Sequence, residues 1–71
     1  MEHNINVYIS MYASFEVRVT HLTHKNRRTV DASYFCPTLA AAKQAILDLQ
    51  KKYSVSDDRT WCDFAENFWK V

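Results

Sequence analysis

The stretch that decides the fold is residues 38–53, TLAAAKQAILDLQKKY. Its apolar residues recur at helical spacing, which places one apolar stripe along an α-helix. Ala, Leu, Gln and Lys are good helix formers, so intrinsic propensity agrees with the pattern. Pro37 ends the preceding element, and Thr38 is a candidate N-cap. We therefore predict a helix over 38–53 that needs a partner surface. Its apolar stripe consists of Leu39, Ala42, Ala45, Ile46, Leu49 and Tyr53.

The residues before this helix predict a sheet that supplies the partner surface. Residues 4–22 alternate apolar and polar side chains and are rich in β-branched residues, which is typical of half-buried strands. We predict antiparallel strands over roughly 5–11, 15–22 and 29–36, with a polar hairpin loop at 23–28. The side chains expected to face the helix are Ile5, Val7, Ile9, Met11, Phe15, Val17, Val19, Val30, Ala32, Tyr34 and Cys36.

The residues after the helix predict a second, shorter helix over roughly 58–69. Ser56 or Asp57 can cap it, and acidic residues are favoured near the positive end of a helix. Its apolar residues at helical spacing are Trp61, Phe64, Ala65, Phe68 and Trp69. A late strand within 60–64 or 67–71 is the competing interpretation. The predicted fold class is α+β, a single domain over 1–71 with a three-stranded antiparallel sheet packed on one long helix and a short C-terminal helix (β-β-β-α-α).

Composition argues against several classes of function. The chain has 71 residues, a formal net charge of +1 and no glycine. P-loops, dinucleotide-binding fingerprints and nucleophile elbows need glycine, so these sites are excluded. A dedicated nucleic-acid binder is usually more basic. Without a membrane-length apolar run or a signal peptide, the chain is expected to be cytoplasmic, in the host cell if it is phage-encoded.

The sequence contains no recognisable catalytic or metal-binding motif. His21 and His24 form an HxxH pair with Cys36 further along the chain. Zinc usually needs three or four ligands at a recognisable spacing, so we interpret both histidines as solvated residues. Cys36 and Cys62 are interpreted as buried, reduced thiols, although one disulfide or a reactive thiol is conceivable. We expect a protein that is not an enzyme and that uses no metal or cofactor.

Two groups of residues are candidates for binding a partner. Exposed aromatic and arginine side chains dominate binding hot spots and can also stack on bases. Strand alternation places one such group, Tyr8, Tyr12, Arg18 and Phe35, on the sheet face away from the helix. The second group, His24, Lys25, Arg27 and Arg28, lies in and beside the hairpin loop and suits a phosphate or an acidic protein surface. A solvated hairpin tip is the alternative for the loop.

The order of elements resembles two families of DNA-binding domains. The order is two strands, a loop, a third strand that ends in an aromatic residue, and a helix with the pattern T-x-x-x-A-x-x-A. This order is similar to that of phage integrase arm-binding domains and plant AP2-type domains. The resemblance implies a sheet face that enters the DNA major groove, with Arg18 and Arg27 as the nearest equivalents of the contacting residues. The residues that carry it are Val7, Tyr8, 15–19, Tyr34, Phe35, Thr38, Ala42 and Ala45.

The general type of the chain is similar to another class of protein. As a glycine-free, near-neutral domain with many aromatic residues, it is similar in overall look to small phage-encoded inhibitors of host defence, such as anti-CRISPR proteins. This similarity implies a viral, phage- or mobile-element-type protein that inhibits or modulates a larger host protein complex by covering a surface. One alternative is a DNA-binding accessory protein that uses the same sheet face. Another is a homodimeric structural module that associates through Trp61, Phe68 and Trp69.

Overall fold

The computed structural model describes residues 2–10, 14–62, 64, 68 and 69. One α-helix packs against one face of a four-stranded sheet, which confirms the α+β class. The three predicted strands and the long helix are present, with ends that lie within two residues of the predicted ones. The elements are β1 (His3–Ile9), β2 (Phe15–Leu22), β3 (Arg28–Cys36), α1 (Leu39–Tyr53), a 3-10 turn (Asp57–Arg59) and β4 (Thr60–Cys62).

The strands lie in the order β3-β2-β1-β4. The pairs β1–β2 and β2–β3 are antiparallel, whereas β4 runs parallel to β1. The sheet is therefore mixed, and the prediction of a purely antiparallel three-stranded sheet is wrong. Since β3 and β4 form opposite edges, α1 carries the chain across one face of the sheet from one edge to the other.

The predicted C-terminal helix is wrong over residues 58–62. A short 3-10 turn at Asp57–Arg59 leads directly into β4, so the competing strand is confirmed over Thr60–Cys62. Without β4, the outer edge of β1 would expose unpaired backbone groups, and pairing with that edge outweighs the helical spacing of the aromatic residues. Residues 63 and 65–67, and most of the other competing strand at 67–71, lie outside the described part of the chain.

The helix begins and ends through local capping contacts. The Thr38 hydroxyl accepts a hydrogen bond from the Ala41 N–H at 3.1 Å, which confirms the predicted N-cap. At the other end, Ser54 adopts the left-handed conformation with φ 56°, and its N–H donates to the Gln50 carbonyl. Among the described residues, no helix is long and apolar enough to cross a membrane. The helical side chains that are fully buried are Ala42, Ile46 and Leu49.

We expect Ser54→Gly to raise the free energy of unfolding by about 0.5–1 kcal/mol, because glycine adopts positive φ without the steric cost that a Cβ imposes. Urea denaturation followed by circular dichroism measures this change. Ser56→Gly is the matched control, since Ser56 has φ −82° and gains nothing from glycine. Equal effects of the two substitutions would contradict the role of Ser54 as the left-handed cap.

The hydrophobic core lies between the sheet and α1 and is completed by C-terminal aromatic residues. Trp69 is 2 % exposed, and its indole Nε1 donates to the Asp57 Oδ1 at 3.0 Å. The rings of Phe15 and Phe64 lie beside each other with centroids 5.4 Å apart. Trp69, which the sequence suggested for a dimer interface, is therefore buried in the core of its own chain. The buried apolar residues are Ile5, Val7, Val17, Val19, Cys36, Ala42, Ile46, Leu49, Val55 and Trp69.

A β-bulge at Asp31 changes which side chains of β3 face the helix. Val19 pairs with Ala32, but the next residue, Thr20, pairs with Val30, so Asp31 is the extra residue. The bulge moves Val30 to the face away from α1, where it is 51 % exposed. The prediction that Val30 faces the helix is therefore wrong. Asp31 instead reaches His21, which belongs to the helix side of the sheet.

Two other side chains expected to face the helix are exposed. Ile9 is 59 % exposed at the end of β1, and Tyr34 is 46 % exposed on the edge strand β3. Both lie at the margin of the sheet, where a single helix covers less of the surface than in the centre. Met11, also expected to face the helix, lies outside the described residues.

Candidate functional site

The sheet face opposite α1, here called the open face, carries side chains from all four strands. Strand alternation and the pairing register determine which side chains lie on this face, because directly paired residues project to the same side of a sheet. Tyr8 pairs with Glu16, and Glu16 pairs with Phe35. Its members include Asn6, Tyr8, Glu16, Arg18, Thr20, Leu22, Arg28, Val30, Ser33, Phe35 and Trp61.

Large apolar side chains on the open face remain accessible to solvent. Phe35 is 67 % exposed, Trp61 49 %, and Leu22 and Val30 are each 51 % exposed. Single exposed apolar residues are normal, whereas several on one face of a sheet make that face a candidate for an interaction surface. One way to cover such a face would be for the C-terminal aromatic residues to fold back over it. Trp69 instead belongs to the core cluster on the helix side.

Arg18 is held in place at the middle of the open face. Its Nε donates to Glu16 Oε2 at 2.7 Å, and its Nη2 donates to Glu16 Oε1 at 3.0 Å, which makes a two-point contact. The guanidinium carbon lies 4.7 Å from the centroid of the Tyr8 ring, within cation–π range. The arginine therefore presents a fixed orientation before any partner arrives.

Glu16 is the acceptor that organises this cluster. Besides Arg18, it accepts a hydrogen bond from the Ser33 hydroxyl at 2.7 Å. Hydrogen bonds from Arg18 and then from Ser33 lower the pKa of the Glu16 carboxyl, and the same contact with Glu16 raises the pKa of Arg18. Both groups are thus charged at neutral pH, and their charges compensate each other on the open face.

The lowered pKa of Glu16 predicts an acid-dependent contribution to stability. The contribution is fully present above the ordinary glutamate pKa and is lost as the pH falls through the lowered pKa of the folded state. We expect wild type to lose more unfolding free energy than Glu16→Gln, by about 1 kcal/mol, between pH 6 and about pH 3. Urea denaturation at both pH values measures the difference. An equal loss of unfolding free energy in wild type and Glu16→Gln would contradict the contribution assigned to Glu16.

The β2–β3 loop presents a group of basic side chains beside the open face. The Thr23 N–H donates to the Arg27 carbonyl at 2.8 Å, and Asn26 takes a positive φ of 58°, so the loop is a closed turn. His24, Lys25 and Arg27 are exposed in this loop. Arg28 follows at the start of β3, and its Nη1 donates to the Thr20 hydroxyl at 3.0 Å. The basic loop, His24 to Arg28, is therefore continuous with the open face.

No protein-family model, curated protein or solved structure matches the chain.

The structure brings together most of the residues that the sequence singled out for binding. Tyr8, Arg18 and Phe35 share the open face, as alternation predicted, whereas Tyr12 lies outside the described residues. Their role in binding stays a prediction. The sequence interpretation assigned no role on this face to Glu16, although its i, i+2 spacing from Arg18 in a strand indicates a shared face. Trp61 was missed because only the pairing of β4 with β1 places it there.

The two cysteines are free thiols in different environments. Cys36 is buried in the core, and this burial raises the pKa of its thiol. A raised pKa reduces the thiolate fraction and hence the reactivity of the group. Cys62, on β4, is half-buried. Cys36 therefore acts as a small apolar residue of the core, as the sequence suggested.

His21 is not the solvated residue that the sequence interpretation made it. It lies on the helix side of β2, half-buried, with its Nδ1 2.6 Å from the Asp31 Oδ2. His24, by contrast, is exposed in the basic loop. The HxxH spacing thus separates the two histidines instead of bringing them together, because the strand ends between them.

Proposed function

We propose that the protein is a non-enzymatic binding module, of the phage-inhibitor type, that covers a surface of a larger host protein complex with its open face. The observation that carries the proposal is the prearranged Arg18, which shares the open face with the accessible aromatic side chains of Phe35 and Trp61. Inhibition would follow from occlusion, because a partner surface covered by this face is closed to its normal ligand.

The chemistry of the open face favours a protein partner. Glu16 compensates the charge of Arg18, so the centre of the face is not a cationic surface for phosphates. Aromatic residues and arginine are enriched in the cores of protein interfaces, where charged groups are otherwise depleted. Because Arg18 is already held by Glu16 and stacked on Tyr8, less side-chain entropy is lost on binding.

The basic loop specifies the charge of the partner. Residues 22–30 contain His24, Lys25, Arg27 and Arg28 and no acidic residue. This group lies at one end of the open face, beside the exposed apolar residues Leu22 and Val30, so it complements a partner surface in which an apolar patch is bordered by carboxylates. Such charge complementarity accelerates association and weakens with salt.

Affinity capture with matched variants tests the proposal. Tagged wild type, Phe35→Ala/Trp61→Ala and Leu39→Ala/Leu47→Ala are incubated with lysate of a bacterial host, and captured proteins are identified by mass spectrometry. Leu39 and Leu47 are exposed apolar residues of α1, away from the open face, 42 % and 37 % exposed. We expect one host complex to be retained by wild type and the α1 variant and lost by the open-face variant. Equal capture by all three would contradict the proposal.

The three exposed basic side chains Lys25, Arg27 and Arg28 support a second candidate function, DNA binding by the same side of the molecule. Neutralising three phosphates would give a slope of about −2.7 in log affinity against log salt concentration. Electrophoretic mobility shift of a duplex at low and moderate salt measures it. Failure to bind any duplex at low ionic strength would exclude this function. Sedimentation of the protein without DNA shows whether it forms the alternative homodimer.

A further inference from the structure

Three potential metal ligands converge on the helix side of the sheet, away from the open face. His3 on β1, His21 on β2 and Asp31 at the bulge of β3 each supply one ligand atom, and these atoms lie within 4.8 Å of one another. The Asp31 Oδ2 is 2.6 Å from the His21 Nδ1 and 3.3 Å from the His3 Nε2. Three strands thus meet at one carboxylate.

The backbone explains why these three residues meet. His3 and His21 are directly paired in the β1–β2 register, so both rings project to the same side, with centroids 5.7 Å apart. A regular β3 would have placed Asp31 on the opposite side from its neighbour Ala32, but the bulge turns it towards the histidines. A bulge next to a group of polar side chains is a common means of aiming a functional residue.

The surroundings of the triad restrict its motion while leaving it accessible to a small ion. The side chains of His3, His21 and Asp31 are 17 %, 13 % and 23 % exposed. The ring of Tyr53, the last residue of α1, lies 4.9 Å from the His3 ring. This contact between α1 and β1 therefore helps to fix the orientation of the His3 ring.

We propose that His3, His21 and Asp31 form a binding site for one Zn²⁺ ion. Two imidazole nitrogens and one carboxylate oxygen are a recognised ligand set for zinc, with water as the fourth ligand of a tetrahedral site. Ligand bonds of 2.0–2.1 Å place tetrahedral ligand atoms about 3.3 Å from each other. The His3–Asp31 pair already has a separation of 3.3 Å, and the shorter His21–Asp31 pair would open slightly.

The geometry also specifies which nitrogens bind the ion. The nitrogens nearest Asp31 are the Nε2 of His3 and the Nδ1 of His21, so the two histidines would bind zinc through different ring positions. The competing role of the triad is a hydrogen-bond network in which Asp31 accepts from both rings. That network needs no ion. If it is the role of the triad, zinc will not bind selectively to the Nε2 of His3 and the Nδ1 of His21.

Isothermal titration with Zn²⁺, on protein without a polyhistidine tag, tests the site. We expect wild type to bind one ion, and His3→Ala and Asp31→Asn to bind at least about tenfold more weakly, since each removes a ligand. His24→Ala is the matched control, because His24 is exposed in the loop, and it should bind like wild type. Zinc should also raise the melting temperature of wild type, because the site spans three strands of the folded state.

A measurement on wild type makes the test independent of variant folding. In ¹⁵N-labelled protein, zinc should shift the Nε2 resonance of His3 and the Nδ1 resonance of His21 and leave His24 unchanged. The proposal is overturned if wild type does not bind Zn²⁺, if binding survives in both His3→Ala and Asp31→Asn, or if the resonances of His24 move instead. Any of these results would assign the triad to hydrogen bonding alone.

Discussion

Trp69→Ala is expected to lower the free energy of unfolding by about 3–5 kcal/mol, which is the usual cost of removing a fully buried large aromatic side chain. The indole is 2 % exposed, contacts the Phe68 ring edge-on with centroids 5.6 Å apart, and donates to Asp57. A domain of this length has a total stability of only several kcal/mol, at about 0.05–0.15 kcal/mol per residue. We therefore expect the substitution to remove a large fraction of the total stability.

Trp61→Ala is the matched control, because it removes the same side chain from the surface. Trp61 is 49 % exposed, so its loss should change the unfolding free energy by less than about 0.5–1 kcal/mol. Urea denaturation followed by circular dichroism compares the two variants. A Trp69→Ala protein within about 1 kcal/mol of wild type would show that the C-terminal aromatic residues do not complete the core.

The second large effect is expected on binding, and it rests on the proposed function. Arg18→Ala should weaken the complex with the captured host protein by at least about 30-fold, equivalent to about 2 kcal/mol. The substitution removes the stacked guanidinium and leaves the Glu16 carboxylate in the interface without its main partner. Phe35→Ala should have an effect of similar size, because Phe35 is the most exposed aromatic side chain of the open face.

Arg18→Lys separates geometry from charge in this prediction. Lysine keeps the positive charge but cannot make the two-point contact with Glu16, so we expect most of the loss to persist. Leu47→Ala, on α1, should bind like wild type. Titration calorimetry with the purified partner measures all four affinities. Wild-type affinity in both Arg18→Lys and Phe35→Ala would remove the open face from the interface.

The elements with long, regular patterns were predictable from sequence. The helix over 38–53 combined propensity, one apolar stripe and a capping residue, and the structure places α1 at Leu39–Tyr53 with Thr38 as its cap. Alternation likewise predicted the first three strands. The fourth strand has only three residues, and what stabilises it is the free edge of β1, which lies far away in sequence. Local sequence patterns cannot predict pairing with a strand that is distant in sequence.

The candidate sites show the same division. Alternation alone was enough to place Tyr8, Arg18 and Phe35 on one face, since each lies in a regular part of its strand. Trp61 joined them only through the parallel pairing of β4. The His3–His21–Asp31 triad needed both an exact strand register and a bulge of one residue, and neither can be read from residue types.

The position of β1 has a consequence for how the chain folds. One edge of β1 pairs with β2, where Ile5 lies opposite Val19. The other edge of β1 pairs with β4, where Ile5 lies opposite Thr60. The second contact closes a far longer loop and therefore costs more chain entropy and forms more slowly. Until it forms, the bare edge of β1 is available to strands of other molecules. Pairing of β4 with β1 therefore also covers a strand edge that other molecules could otherwise join.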